Sequence, residues 1–455
     1  MEKQVKVALI MAASLFMEFM DGTIVTTALP DIGKELKVSA SSGSLLISTY
    51  LITVAIFIPL SGWLAKKYGK KRIWLIAVLI FTISSLGSAL AFNFEFLVAM
   101  RIIQGFAGSL MTPTARLIVL EKAPADQLLK LISYLVWPAL TAPAIAPLLG
   151  GIIVTHLSWH WIFLINLPIG CIIFILGYHW LVNDKQNANI SFDWLGFINL
   201  AVASAILLIG TELITYNTRL LGWSVMLIII SLILAIGCFY YLKTTVAPLF
   251  SLNALKIPSF RIFQTGGSLF WISVGALPYT LTILLQTIFG WSADRAGFYV
   301  VFIFIGNISI KPFTNQIIKR LKFRGALVSA FILVMVSSVG LAFINKNVSI
   351  WWLISLAVIS GIGRSLALTT YNGLSFSEVP TLERNSANTL NAVTQSLAQG
   401  MGVSVITMVV YLVHYFGYSM QVAYSAGFIF LAILIIFPLL EVLQLDKNIG
   451  SNALK

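Results

Sequence analysis

Charge is what this sequence has least of. Asp, Glu, Lys and Arg together make up 10% of its 455 residues, while hydrophobic residues make up 59% and the mean hydropathy is +0.95. A water-soluble protein of this length covers its surface with far more charge, so a soluble globular fold is excluded. Cysteine is nearly missing as well. Cys171 and Cys238 both lie in apolar runs, which excludes a disulfide framework and a C-x-x-C metal pair. No G-x-x-x-x-G-K-[ST] loop is present to cradle nucleotide phosphates, so ATP hydrolysis by this chain is not expected. His156 and His160 lack the H-E-x-x-H frame of a zinc site and read as interfacial residues among tryptophans. No cofactor or metal is therefore expected. Without a nucleophile–base constellation, a membrane-embedded enzyme is a remote alternative. No stretch between apolar runs is long enough to hold a soluble domain.

What the sequence has instead is long apolar runs. They fall at 7–29, 44–65, 73–92, 96–118, 129–155, 161–181, 194–212, 223–242, 262–288, 297–318, 325–345, 351–373, 389–414 and 420–441, fourteen in all. They are continuous rather than alternating, which excludes a transmembrane β-barrel. The expected fold class is all-α membrane. The first run carries Glu18 and Asp21 and is followed by no A-x-A site, so it reads as a retained helix and not as a signal peptide.

The net charge of +13 would point to nucleic acid if it were gathered in a soluble domain. It is spread over the short connections, so no nucleic-acid partner is expected. With the N-terminus placed in the cytoplasm, twenty basic residues fall on that side, among them Lys122, Lys130, Lys185, Lys447 and Lys455. Five fall outside, including Arg219, and Arg101, Arg116, Lys311 and Arg364 lie within the runs. That bias fits fourteen helices with both termini cytoplasmic.

A faint internal repeat supports the count. The strings GWLAKKYGKKR (62–72) and NQIIKRLKFRG (315–325) align at an offset of 253 if runs seven and eight are an insertion. The expected division is then a six-helix bundle over 1–185, two additional and peripheral helices over 186–250, and a second six-helix bundle over 251–455. Parallel halves with a site between them at mid-membrane are a transporter signature.

Four motifs sharpen this reading. In 62–72, Gly62 and Gly69 bracket a tight turn, and the basic residues, Arg72 included, suit a cytoplasmic loop. The string resembles the loop motif G-x-L-A-D-R-x-G-R-K of the major facilitator superfamily, with Lys66 at its acidic position. RIIQGFAGS (101–109) is similar to the same superfamily's R-x-x-Q-G-x-G, through Arg101, Gln104 and Gly105. In PALTAPAIAPLLGG (138–151), Ala139, Ala142, Ala146, Gly150 and Gly151 form a smooth face for close helix packing, and the prolines are tolerable only in a membrane helix. Pro143, Pro147, Gly150 and Gly151 also fit the antiporter motif G-x-x-x-G-P-x-x-G-P-x-x-G-G. DGTIVTTALP (21–30) resembles the first-helix signature of the fourteen-helix drug:proton antiporter branch, and SWHWIFLINLPIG (158–170) and NAVTQSLAQGMGVSV (391–405) look like that branch too.

The charges inside the runs can be placed by helix geometry. Glu18 and Asp21, three residues apart, lie about 60° apart on one helix face. Arg101 on the fourth run lies at a depth similar to that of Asp21. An ion triad that only joins helices and a proton-exchanging site facing a wet cavity both fit this arrangement. Lys311 and Arg364 lie deep in runs ten and twelve, where a cation faces a cavity or a partner. Glu212, at the end of run seven, reads as interfacial.

The resemblance implies a major facilitator fold of two six-helix bundles plus two extra helices. It also implies a monomer in the cell membrane that exports amphipathic small molecules or drugs against protons by alternating access. Asp21, Glu18 and Arg101 are the expected proton-coupling residues. Gln104, Lys311, Arg364 and Gln395 are expected at the substrate cavity. Gly62, Lys66, Gly69, Arg72, Pro143, Pro147, Gly150 and Gly151 are expected to serve gating. Exchange or export of a specific metabolite or organic anion without proton coupling is the alternative, favoured by Lys66, Lys311 and Arg364.

Overall fold

The computed structural model describes residues 2–121, 128–182, 191–216, 220–380, 383–446 and 449. Of the basic residues used above to orient the chain, Lys122, Lys185, Arg219, Lys447 and Lys455 lie outside them. Fourteen long helices carry the described fold: α1 (Glu2–Glu35), α2 (Leu45–Tyr68), α3 (Lys70–Ala89), α4 (Phe94–Glu121), α5 (Leu128–His156), α6 (Asn166–Trp180), α7 (Trp194–Tyr216), α8 (Leu221–Thr244), α9 (Pro258–Ile283), α10 (Ala293–Ser309), α11 (Lys311–Ala342), α12 (Ile350–Ser377), α13 (Arg384–Tyr415) and α14 (Met420–Leu443). In hydrocarbon each backbone N–H and C=O must be satisfied within its own segment, and a helix does this. Twelve of the described spans are long and apolar enough to cross a membrane. The others are α5, whose described apolar part is Thr141–His156, and the 17-residue α10.

The tenth and eleventh runs divide differently from the sequence expectation. Run ten is interrupted at Ile310, and Pro312 opens α11 in its first turn, where a missing N–H costs nothing. α11 then continues past Arg320 and turns at Lys322, whose φ of 59° and ψ of 174° break the helix in two. The first break of this kind is Gly69, with φ 91° between α2 and α3. Gly69 and Lys322 are the positions that the 253-residue offset superimposes, so the repeat is present in the backbone as well as in the letters. Glycine takes this conformation freely; lysine takes it with strain.

The first six helices and the last six share a core at one end. There Ile24, Leu29 and Phe163 of the first set pack with Leu281, Val300, Ile406 and Phe428 of the second. Backbones approach closely at this closed end. A Cβ on Gly151 of α5 would lie 2.5 Å from the Ala293 carbonyl oxygen of α10, and a Cβ on Gly297 would collide with the carbonyl of Pro147. The side chain of Gln286, in a π-helical turn (Leu284–Ile288) that prolongs α9, donates to the Thr27 carbonyl of α1 at 3.1 Å. Toward the other end each half also has a core of its own, one around Trp74 and Met111, the other around Phe270, Phe331 and Tyr371, while α2 and α13 stay in contact through Ile52 and Gly400.

The two additional helices differ in their seats. α8 is outlying, with only Ser224, Ser231, Cys238 and Leu242 buried along it. α7 lies in the seam between the halves: Phe197 and Leu208 pack with Ile52 and Ile56 of α2, against Leu397 and Met401 of α13.

Candidate functional site

The opposed charges of α1 and α4 meet inside the first set of helices. Asp21 and Arg101 are both fully buried, and Arg101 Nη1 lies 2.5 Å from Asp21 Oδ2. The other carboxylate oxygen, Oδ1, accepts from Gln104 Nε2 at 2.9 Å and from Asn166 Nδ2 at 2.8 Å. Gln104 turns its oxygen back to Arg101 Nη1 at 2.6 Å, one helical turn away, and both amides also donate to Ser85 Oγ. Arg101 Nε donates to the Leu46 carbonyl at 3.1 Å, and its guanidinium stacks over the Tyr50 ring at 4.3 Å. Three donors thus converge on one carboxylate, and one of them is a cation. Such charge-assisted bonds are the strong ones, and together they fix the position of the Asp21 carboxylate.

Small residues make the convergence possible. A Cβ on Gly105 would lie 2.7 Å from the Tyr50 carbonyl oxygen, and one on Gly108 would lie 3.2 Å from the Tyr50 hydroxyl. The glycines of RIIQGFAGS therefore let α4 close on α2 and bring Arg101 within reach of α1.

Glu18 is also buried, but its surroundings differ. It accepts from Thr112 Oγ1 at 2.7 Å and interacts electrostatically with Arg116, one turn beyond Thr112 on α4. The structure therefore resolves Glu18, Asp21 and Arg101 into a tight pair and a separate carboxylate.

The remaining expected residues are scattered. Gln104, expected at a substrate cavity, is fully buried within the Asp21 network. Lys311 donates to Thr369 Oγ1 at 3.1 Å. Arg364 is buried in α12 and donates through Nη2 to the Val274 carbonyl, while its Nε and Nη1 have no hydrogen-bond partner among the described residues. Gln395 is half-buried on α13. Lys66 and Arg72 are exposed beside the turn at Gly69, and Lys71 holds the carbonyls of Tyr178 and Leu181 at the end of α6. Among the described residues nothing lies within 4 Å of a Cβ built on Gly62, whereas Gly150 is pressed onto Ile24 and Thr27 of α1. Pro143 is half-buried, and Pro147 packs against α10 through Gly297.

Sequence reasoning missed Asn166, Ser85 and Thr112. The signal was there: Asn166 is a lone amide in an apolar run, where an unsatisfied polar group costs several kcal/mol. Glu212 is a correction. It is half-buried and accepts from Ser404 Oγ at 2.9 Å and from Ser44 Oγ at 3.4 Å, because α7 turns this end toward α2 and α13 and not toward the membrane surface. His160 lies 3.6 Å from Glu35.

Two sets of six helices that share a core at one end, with a buried ion pair inside the first set, define a multi-pass membrane transporter. The chain belongs to the Major Facilitator Superfamily, whose profile it matches over residues 11–403. It is 29% identical over 451 residues to a protein of Haemophilus influenzae that carries the name transport protein HsrA, covering 98% of this chain and 97% of that relative. It is 34% identical over 400 residues to one of Pectobacterium carotovorum that carries the name multidrug resistance protein MdtD, covering 87% and 85%. Among solved structures, a POT family transporter in complex with 5-aminolevulinic acid superimposes with a TM-score of 0.69 at 16% identity, over 96% of this chain and 94% of that one. At that identity the likeness concerns the fold alone.

Proposed function

We propose that this transporter exports amphipathic small molecules across the cell membrane in exchange for protons, with Asp21 as the proton carrier. The observation that carries this reading is the buried Asp21–Arg101 pair inside the first set of helices, in a fold whose halves share a core at one end. With both termini cytoplasmic, the closed end faces outward and the other end faces the cytoplasm. An antiporter in that state has just released its proton inside, and its carrier carboxylate is ionised. The three donors on Asp21 hold that form.

The cycle follows from charge compensation. A neutral Asp21 leaves Arg101 without its counter-ion in a buried site, so a conformation that offers Arg101 another acceptor holds the proton more tightly than this one. That conformation takes the proton from outside, and the one described here releases it inside as the pair re-forms. Glu18, three residues away and with one neutral donor, is the assisting carboxylate. Gln104, Asn166 and Ser85 orient the carboxylate. The names of the relatives support a drug-like substrate. The test is transport by the reconstituted protein, as a monomer, in vesicles with an imposed pH gradient. Ethidium should move against its own gradient when protons flow the other way. Uptake of ethidium indifferent to the pH gradient would overturn proton coupling.

A second reading rests on Arg364. A buried guanidinium with two unpaired nitrogens, with Lys311 elsewhere on the same half, suits an organic anion in exchange without protons. Gradient-independent exchange of a labelled organic anion such as benzoate, lost in Arg364→Gln, would favour it.

A further inference from the structure

The additional helix α7 carries a carboxylate into the seam between the halves, and proton exchange at Asp21 makes no use of it. Glu212 stands near the end of α7 and is half-buried. One of its oxygens, Oε1, accepts from both halves. Ser404 Oγ of α13 donates to it at 2.9 Å, and Ser44 Oγ, at the head of α2, at a longer 3.4 Å. Ser404 Oγ also lies 2.8 Å from Ser48 Oγ of α2. A serine hydroxyl has one proton to give, and an ionised carboxylate is the stronger acceptor for it. Ser48, a donor as well as an acceptor, completes a chain that crosses from the first half to the second and on to α7.

The surroundings of this chain are apolar. Ser44, Ser48 and Ser404 are buried, and their neighbours Leu46 and Ile47 of α2 and Val403 and Ile406 of α13 belong to the core that the halves share at the closed end. A bond to a charged group is strong there, and losing it is costly. Bonds within one half persist when the halves move; bonds between them must break. Serine suits a contact that has to break, because on a helix its hydroxyl can turn to the carbonyl four residues back. Thr49 and Thr407 beside them already do so, donating to the Leu45 and Val403 carbonyls at 2.6 and 2.8 Å. A carboxylate, which only accepts, cannot turn to a carbonyl of its own helix.

We infer that Glu212 is a positioning residue that holds the closed end shut, binding α2 and α13 to α7 through one oxygen, so that an additional helix takes part in the alternation of the halves. Phe197 and Leu208 seat α7 against both α2 and α13, so its carboxylate cannot follow both when they part. The clasp rests on alternation of the two halves and not on proton exchange at Asp21, and its test reads neither transport nor pH.

The probe is a pair of spin labels at Leu90 and Phe343, exposed at the ends of α3 and α11 on the closed side, in the full chain in lipid nanodiscs at constant pH. The distance distribution gives the ratio of open to closed molecules, and thermal unfolding is read beside it. Glu212→Leu removes the acceptor and should raise the open-to-closed ratio roughly tenfold, the worth of one hydrogen bond to a charged group. Ser404→Ala removes the donor and should do the same, and the two together should do no more than either alone. Glu212→Gln keeps an acceptor oxygen without the charge and should restore part of the closed population. An unchanged ratio in Ser404→Ala, or effects of the two substitutions that multiply, would overturn the inference. Ser404→Ala trades a small side chain for a smaller one, so that arm stands even if Glu212→Leu fails to fold. A lower unfolding temperature at an unchanged ratio would show that Glu212 only seats α7, and would overturn the inference as well.

Discussion

Asp21→Asn is the substitution whose effect the structure sets most tightly. Asparagine keeps the shape and one acceptor, so Gln104 and Asn166 can still donate to the Oδ1 position. At the other position an NH2 would face Arg101 Nη1, donor against donor, where 2.5 Å now separates opposite charges. Removing one member of a buried ion pair costs about 3–5 kcal/mol because the remaining charge is left uncompensated. Against a total stability of about 5–15 kcal/mol, that is a large loss short of unfolding. The assay is a double-mutant cycle of Asp21→Asn, Arg101→Gln and the two together, read by unfolding in detergent. The double variant should recover about 1–3 kcal/mol relative to the sum of the singles. Additive losses, or an Asp21→Asn protein as stable as the native one, would refute the claim that the pair compensates itself in isolation.

Other consequences follow from the same geometry. Glu18→Gln keeps an acceptor for Thr112 Oγ1 and breaks no short ion pair, so it should change stability by under about 1 kcal/mol while weakening proton-driven transport; a loss as large as that of Asp21→Asn would place Glu18 in the ion-pair network. Lys322→Gly should stabilise the protein by about 1 kcal/mol by relieving the left-handed backbone at the break in α11, and a lower unfolding temperature would show that the lysine side chain contributes more than the strain. Gly151→Ala puts a methyl 2.5 Å from the Ala293 carbonyl oxygen and should push α5 from α10. Spin labels at the exposed positions Leu90 and Phe343 should then move apart, and an unchanged distance would mean that the closed end does not depend on this contact.

The sequence made the membrane helices and the central pair legible for a physical reason. A spanning helix needs a continuous apolar run, and a charge within such a run stands out against it. Asp21 and Arg101 could be matched by depth alone. The break between α10 and α11 was not legible, because Pro312 sits in an apolar stretch that reads as continuous, and a proline at a helix start leaves no mark on hydropathy. Asn166, Ser85 and Thr112 went unseen because a single hydroxyl or amide hardly changes the hydropathy of a run, although each meets a carboxylate or its ligands. The seat of α7 was hidden for another reason: a lipid-facing helix and a seam-filling helix are equally apolar, so Glu212 looked interfacial until its serine partners were placed.

The central claim is that Asp21 gains and loses a proton as the two halves alternate. In the proposed cycle the state with the Asp21–Arg101 pair is the proton-free one, so it binds fewer protons than a state in which the carboxylate is protonated. By linkage, acidification must favour the other state. Spin-label distances between Leu90 and Phe343 at the closed end, followed from about pH 8 to about pH 5, read this without any substrate. The native protein should shift toward a longer distance as the pH falls, and Asp21→Asn should lose that response. A native distance that does not change with pH, or an Asp21→Asn protein that follows the native curve, would contradict the account.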